Sequence, residues 1–294
     1  MKYEKFRDIL NQIILENTKS DLIEKIAKYP NRYIGLFRPT KPKAKILQNI
    51  LQSNEIRFGD CLEIIFKKYF EELGYKNLPK NLTYKNEAYD IDQLFTDDIY
   101  VYFVEQKVRD DHDSTKKKGQ QINFETKVEA LASIYGEKKL RCFVYFIDDS
   151  FIKNKTFYQK EIEVIDKKYM ISAKLCYGKE FWDSINHPNV WDETIEHLKR
   201  WRNEIPDFPS VNFDENPVSS FEEIKDIKIS VMRKLFDNDD VCKEILPIIF
   251  PENKTLRLLA DFYKNHESEM SIYLYVHEKI EKRFLNDIYH LRNN

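Results

Sequence analysis

The chain has 294 residues, of which 42% are hydrophobic, and 48 Lys plus Arg against 50 Asp plus Glu give a formal net charge of −2. This composition excludes a disordered or collagen-like chain, and the length suffices for a large buried core. The longest apolar runs, Ile99–Val104 and Ile245–Phe250, are far shorter than the ~18 residues that span a bilayer. The N-terminus lacks a continuous apolar leader and the four cysteines are scattered, so we expect a cytoplasmic protein.

Residues 1–58 are predicted to form a helical N-terminal region with a basic segment. Apolar residues recur at spacings of three and four through the first 28 residues, which is typical of amphipathic helices. From Lys25 to Gln48 the sequence has seven basic residues and no acidic one. Such a segment suits contacts with nucleic-acid phosphates, and a solvated surface loop is the alternative.

Residues 59–188 are predicted to form an α/β core with a mixed β-sheet flanked by helices. In chain order the predicted elements are a helix at Asp60–Leu73, strands at Ala88–Phe95 and Ile99–Val108, a helix at Asp113–Gly136, strands at Leu140–Ile147 and Tyr169–Cys176, and a helix around Phe181. The first two strands are joined by a short turn, which predicts an antiparallel hairpin. The strand at Leu140–Ile147 is apolar on both faces and is therefore expected inside the sheet.

Residues 189–294 are predicted to be mainly helical. The predicted helices are Trp191–Glu204, Phe221–Phe236, Val241–Phe250 and Thr255–Leu291, with a loop at Pro206–Pro217. The three segments are separate regions, or they form one continuous domain.

Charged residues follow the apolar second strand of the hairpin. Glu105 and Lys107 project from the same face of that strand, because successive side chains alternate. The turn brings Asp90 and Asp92 back toward Glu105. Two adjacent carboxylates repel each other unless a hard divalent cation neutralises them, and magnesium takes one or two carboxylates. This pattern favours phosphodiester hydrolysis. An exposed ion pair between Glu105 and Lys107 is the structural alternative.

The spacing of these residues resembles a known nuclease motif. Asp92 followed by Glu105-Gln106-Lys107 resembles the PD-(D/E)XK nuclease superfamily. The sequence between about residues 31 and 185 resembles bacterial type II restriction endonucleases. That resemblance is carried by NRYIGLFRPTKPKAKILQNILQSNEIRFGDCLE, EQKVRDDHDSTKKKGQ and LCYGKEFWDSI.

The motif departs from the superfamily pattern at its first position. Ile91 stands where the proline of PD is expected, so the sequence alone does not decide whether Asp90 or Asp92 is the metal ligand. The spacing favours Asp92.

The resemblance implies a restriction-endonuclease-like core and a role for several residues. Asp92 and Glu105 would bind Mg²⁺ together with the backbone carbonyl of Gln106. Lys107 would orient or activate the attacking water and stabilise the transition state. Glu63, on the helix before the hairpin, matches an acid that many members add to the site. The candidate DNA-binding residues are Lys41, Lys43, Lys45, Lys116, Lys117, Lys118 and Gln120.

The function implied is that of a type II site-specific deoxyribonuclease that cuts double-stranded DNA with Mg²⁺ within a restriction-modification system. A palindromic site would require a homodimer, because protein symmetry then mirrors DNA symmetry. The resemblance also implies a cognate DNA methyltransferase. The alternatives are a structure-specific nuclease for resolution or repair in the same superfamily, and a non-catalytic DNA-binding module.

Overall fold

The chain forms two compact units, each built from separated stretches of sequence. A computed structural model describes residues 1–15, 18–205, 209–265 and 270–292. The sheet unit comprises Met1–Ile13 and Arg57–Ile205, and the helical unit comprises Ile14–Ile56 and the described residues from 209 onward. The predicted division at residues 58 and 188 follows the sequence order and stays a prediction.

The sheet unit is built on a mixed five-stranded sheet. Its strands, in spatial order, are β1 (Lys76–Asn77), β4 (Gln93–Thr96), β5 (Val101–Lys107), β6 (Leu140–Phe146) and β7 (Ser172–Tyr177). β4 is antiparallel to its neighbours β1 and β5, whereas β5, β6 and β7 are mutually parallel. β5 and β6 lie inside the sheet, as their near-continuous apolar sequences predict. The predicted α/β class and mixed sheet are confirmed.

Helices flank this sheet. In chain order they are α1 (Tyr3–Ile14), the end of α4 (Pro42–Glu72), α5 (Ser114–Tyr135), α6 (Lys155–Tyr169), α7 (Lys179–Ser184) and α8 (Pro188–Arg202), with a 3₁₀ turn at Glu137–Lys139. The sequence reading missed α6. Parallel neighbours such as β6 and β7 need a crossover connection, and α6 supplies it.

The predicted strand Ala88–Phe95 is wrong as a single element. It divides into β3 (Glu87–Asp90), which pairs with β2 (Asn81–Tyr84) in a separate two-stranded sheet, and β4, which pairs with β5. The chain changes partners at Ile91, whose N–H donates to the carbonyl of Lys80 at 3.1 Å and whose side chain is buried. The predicted antiparallel hairpin survives as β4 and β5.

The described residues of the helical unit form helices around their own apolar core. They are α2 (Thr18–Lys28), α3 (Asn31–Ile34), the start of α4, α9 (Pro217–Ile224), α10 (Ile229–Phe236), α11 (Asp239–Glu244), α12 (Leu246–Ile249), α13 (Lys254–Lys264) and α14 (Met270–Arg292), with a 3₁₀ turn at Phe213–Glu215. The core joins side chains of α2 with those of α10 and α13. None of the described helices is long and apolar enough to cross a membrane.

Two of the predicted C-terminal helices are divided in the structure. The predicted helix Phe221–Phe236 is interrupted between Ile224 and Ile229, where Lys228 is non-helical, and Val241–Phe250 is divided just before Pro247. Proline has no backbone N–H to donate and its ring clashes with the preceding turn, so it favours such a break. Pro217 begins α9 rather than lying in a loop, whereas Pro206 lies outside the described residues.

Candidate active site

The register of the β4–β5 hairpin places Asp92 opposite Glu105. Gln93 pairs with Val104, and Asp92 directly precedes β4. The backbone N–H of Gln106 donates to Oδ2 of Asp92 at 2.8 Å, which anchors the carboxylate to β5. The partner change at Ile91 therefore leaves Asp92 free of the strand ladder and beside the end of β5.

Lys107 joins the two carboxylates. Its Nζ lies 2.8 Å from Asp92 Oδ2 and 2.8 Å from Glu105 Oε1, so those two oxygens are within twice that distance of each other. Nζ also donates to the backbone carbonyl of Gln106 at 3.0 Å. The structure thus brings together Asp92, Glu105, Lys107 and the Gln106 carbonyl, the four groups of the predicted constellation. The ion pair between Glu105 and Lys107 that the structural alternative predicts is present, but it is not an exposed one, because Glu105 is only 6% exposed.

A second lysine, which the sequence reading missed, contacts Glu105 from α5. Lys127 Nζ lies 2.8 Å from Glu105 Oε2, and Lys127 is only 3% exposed. Phe103 and Glu105 share one face of β5, and the rings of Phe103 and Phe124 stack at 5.3 Å, which brings α5 onto this face. On α5, Lys127 lies on the same buried face as Phe124 and Val128. A lysine within an apolar helix face was the signal in the sequence for a buried charge.

These contacts shift the pKa values of the site. Burial and the charge of Glu105 raise the pKa of Asp92, although Lys107 opposes them. Burial alone would raise the pKa of Glu105, but Lys107 and Lys127 outweigh it and lower that pKa. Burial would lower the pKa of Lys107, and the two carboxylates reverse this and raise it. The cluster is therefore a buried, charge-compensated arrangement.

Glu63 lies at the edge of this cluster, on α4. Its carboxylate pairs with Lys80 Nζ at 3.2 Å, and its backbone carbonyl accepts a hydrogen bond from Gln93 Nε2 at 2.7 Å. Burial, and next the negative charge of Asp92, raise the pKa of Glu63 to about 6. Glu63 thus feels the charge of Asp92, and its backbone is hydrogen-bonded to Gln93, the residue that follows Asp92.

Asp90 has a different environment from Asp92. It is exposed, and it pairs with Asn81 across the two-stranded sheet. The local geometry therefore favours Asp92 in the carboxylate pair.

The candidate DNA contacts after β5 divide into exposed and engaged side chains. Lys116 and Lys118 are exposed at the start of α5. Lys117 Nζ donates to Asn154 Oδ1 at 3.1 Å, and Gln120 Oε1 accepts from the Tyr158 hydroxyl at 2.8 Å. The DNA-binding role of these four residues stays a prediction, and two of them already have partners within the protein.

A buried carboxylate that the sequence reading missed fixes the connection between β5 and α5. Asp110 is fully buried and accepts hydrogen bonds from the Asn154 backbone N–H at 2.7 Å, the Asn154 side-chain amide at 2.8 Å and the Tyr177 hydroxyl at 3.0 Å. Asp113 then caps α5 by accepting from the backbone N–H of Lys116 at 2.8 Å. This connection sets where the first turn of α5 lies relative to the end of β5.

The other three candidate DNA contacts belong to the helical unit. Lys41 and Lys43 are exposed, and Lys45 Nζ donates to Gln48 Oε1 at 2.8 Å. Their role in DNA binding stays a prediction.

The residues present fit a hard divalent cation. Among the described residues no group of three or more His, Cys, Asp or Glu side chains is arranged to hold a metal. Magnesium, however, needs only one or two carboxylates and keeps several waters. The ammonium of Lys107 already sits between Asp92 and Glu105, which shows that this position accepts positive charge.

The mixed α/β sheet thus carries two carboxylates and a lysine at adjoining strand ends. The family model described as "Type II restriction endonuclease, HinfI" matches residues 2–85 and 76–202, more than half of the chain. The chain belongs to this family of type II restriction endonucleases, as its sequence resemblance predicted. No match was found among curated proteins. The family implies a nuclease that acts on double-stranded DNA and typically uses a divalent metal.

Proposed function

We propose that this protein is a site-specific deoxyribonuclease of the PD-(D/E)XK superfamily, with a restriction-endonuclease-like core, that hydrolyses double-stranded DNA with Mg²⁺. The products would carry 5′-phosphate and 3′-hydroxyl ends. The observation that supports this most directly is the position of Lys107 Nζ, 2.8 Å from a carboxylate oxygen of both Asp92 and Glu105. Family membership supplies the class of substrate.

The chain's own residues divide the work. Asp92 and Glu105, with the carbonyl of Gln106, would hold Mg²⁺, and the bound cation would offset negative charge on the phosphate. Lys107 would orient the attacking water and stabilise the charge of the transition state. Glu63 would be an additional acid at the edge of the site.

Basic side chains on both units would contact the DNA backbone. Lys116 and Lys118 are exposed on the first turns of α5, which follows the strand that carries Glu105 and Lys107. Lys117 and Gln120 are proposed as contacts that would exchange their internal partners for DNA. Lys41, Lys43 and Lys45 would contribute from the helical unit.

The biological setting is also part of the proposal. A palindromic target would be cut by a homodimer with one active site in each subunit. A cognate DNA methyltransferase in the same restriction-modification system would protect the host's own sites. Because its substrate would be intracellular DNA, the enzyme would act in the cytoplasm.

Digestion of an unmodified plasmid by the purified protein tests this function. With Mg²⁺ we expect discrete DNA bands, and with a chelator we expect none. Lys107→Ala and Glu105→Ala should each lower the cleavage rate by at least about 100-fold, because the first removes a positive charge at the reacting phosphate and the second removes a ligand of the proposed Mg²⁺. Both variants should still bind DNA, measured by fluorescence anisotropy. Lys85→Ala is the matched control, since Lys85 pairs with Glu129 on the surface of the same unit.

Each alternative function has its own signature in these experiments. Preferential cutting of branched DNA over a linear duplex would contradict the restriction assignment and favour a structure-specific nuclease. DNA binding without metal-dependent cutting would favour a binding module. Sequencing the ends of the digestion products would identify the recognised sequence.

A further inference from the structure

Two adjacent apolar side chains of the helical unit are presented almost entirely to solvent. Leu36 is 89% exposed and Phe37 is 101% exposed, more than any other large apolar side chain among the described residues. They follow α3 and precede α4, in a loop over residues 35–41. Two large apolar side chains left in water forgo the stabilisation of burial, so their exposure indicates a partner.

The loop that carries them rests on a fixed base. Tyr33 on α3 is 1% exposed, and its hydroxyl donates to Asn49 Oδ1 on α4 at 3.2 Å. The backbone N–H of Gly35 donates to the carbonyl of Asn31 at 3.1 Å, and a Cβ at Gly35 would collide with that same oxygen. Arg38 Nε also donates to the Asn31 carbonyl, at 3.4 Å. Both ends of the Leu36–Phe37 pair are thus tied to α3.

The pair lies within a strongly basic stretch of the sequence. The loop lies within the stretch from Lys25 to Gln48, which has seven basic residues and no acidic one. Lys28 Nζ and the Arg32 guanidinium lie 5.1 Å and 4.9 Å from the ring centre of Tyr29, which keeps these cations beside an aromatic surface. An apolar tip flanked in sequence by cationic side chains is complementary to the stacked bases and phosphates of a nucleic acid.

We propose that Leu36 and Phe37 insert between adjacent base pairs of double-stranded DNA, while the neighbouring basic side chains hold the backbone phosphates. This inference rests on the proposed function, which makes DNA the substrate. Inserted apolar side chains unstack a base step and kink the duplex, and the cost depends on the sequence of that step. The pair would therefore contribute to sequence selection without hydrogen-bonding to base edges. A second copy of the chain fits less well, because a symmetric contact would bring two basic segments together.

The test uses the full chain and the DNA site that the plasmid digestion identifies. Duplexes with 2-aminopurine placed at successive positions across and beside the site report unstacking as increased fluorescence, and Ca²⁺ replaces Mg²⁺ during binding. We compare the wild-type protein with the double variant Leu36→Ala/Phe37→Ala. Val218→Ala is the control, because Val218 is a 64% exposed apolar side chain of the same unit.

We expect the wild type and Val218→Ala to increase the fluorescence at one base step. The double variant should lose that increase and bind the site roughly 10-fold or more weakly, since it loses the contacts between the two side chains and the bases. Its circular dichroism and melting temperature should match those of the wild type, because neither side chain contributes to the core.

Several outcomes would overturn the proposal, and they are distinguishable from failure of the proposed function. If the wild type cleaves DNA but causes no unstacking, the insertion is contradicted and the proposed function is not. The same holds if the double variant keeps both the fluorescence increase and the affinity. Loss of self-association in the double variant with unchanged DNA binding would assign the pair to a second copy. Loss of binding to anionic phosphatidylserine vesicles alone would assign it to a membrane surface. A wild type that neither binds nor cuts DNA would remove the proposed function and the insertion with it.

Discussion

At the scale of single residues, the most consequential feature is that Glu105 has two lysine partners. Lys127 Nζ lies 2.8 Å from one carboxylate oxygen and Lys107 Nζ lies 2.8 Å from the other. Lys127 is almost fully buried, whereas the side chain of Lys107 is 28% exposed. Lys127 is thus placed to hold Glu105 in position whether or not Lys107 moves to contact a phosphate.

We expect Lys127→Met to lower the free energy of unfolding by about 3 kcal/mol, measured by urea denaturation. Removing one partner of a buried pair costs about 3–5 kcal/mol, and the lower end applies because Lys107 still compensates Glu105. Lys85→Met removes an exposed lysine from its pair with Glu129 and should change the free energy of unfolding far less, because exposed ion pairs contribute little to stability. Equal stabilities of these two variants would contradict the assigned importance of the buried pair.

At the scale of elements, the turn between β4 and β5 sets the register that brings Asp92 and Glu105 together. Asp97 Oδ1 accepts from the backbone N–H groups of Ile99 at 2.9 Å and Tyr100 at 2.7 Å, and Oδ2 accepts from the Tyr102 hydroxyl at 2.8 Å. Partial burial would raise the pKa of Asp97, but these hydrogen bonds outweigh it and lower that pKa below its ordinary value of 3.8.

Asp97→Ala should therefore destabilise the protein at neutral pH by about 1–2 kcal/mol, the contribution of hydrogen bonds to an exposed charged group. Because the pKa of Asp97 is lower in the folded state, its stabilisation is present above about pH 4 and is lost as the pH falls through the folded-state pKa. Denaturant unfolding of the wild type and the variant between pH 7 and pH 2 should show their stabilities converging in acid. A constant difference over that range would contradict the role assigned to the Asp97 charge.

The elements that the sequence predicts best are those with one dominant signal. The apolar runs of β5 and β6 identify buried strands, and the alternation of side chains places Glu105 and Lys107 on one face. The division of the strand at Ile91 was not predictable from this signal, because β3 pairs with β2 across the two-residue turn Lys85–Asn86, and apolar runs do not reveal such a turn. Lys127 was missed because a charge within an apolar helical stripe becomes interpretable only when its partner strand is known.

At the scale of the whole molecule, a formal net charge of −2 gives no overall attraction to DNA. DNA binding must therefore depend on local positively charged segments. The stretch from Lys25 to Gln48 is such a segment, because it has seven basic residues and no acidic one. Lys41 and Lys43 are exposed within it. Each lysine that neutralises a phosphate releases counterions, so the affinity falls as the salt concentration rises.

Replacing Lys41 and Lys43 together by glutamine should lower the slope of log affinity against log salt concentration by about 2, because each lost phosphate contact removes about 1. Fluorescence anisotropy over a series of salt concentrations with Ca²⁺ present measures that slope. Lys225→Gln is the matched control in the same unit, since Lys225 pairs with Glu222 at 2.6 Å and should leave the slope unchanged. Weaker binding with an unchanged slope would mean that the two lysines act by some means other than phosphate contact. An unchanged affinity would favour the alternative that the basic segment is a solvated surface loop. DNA binding would then depend on the basic first turns of α5.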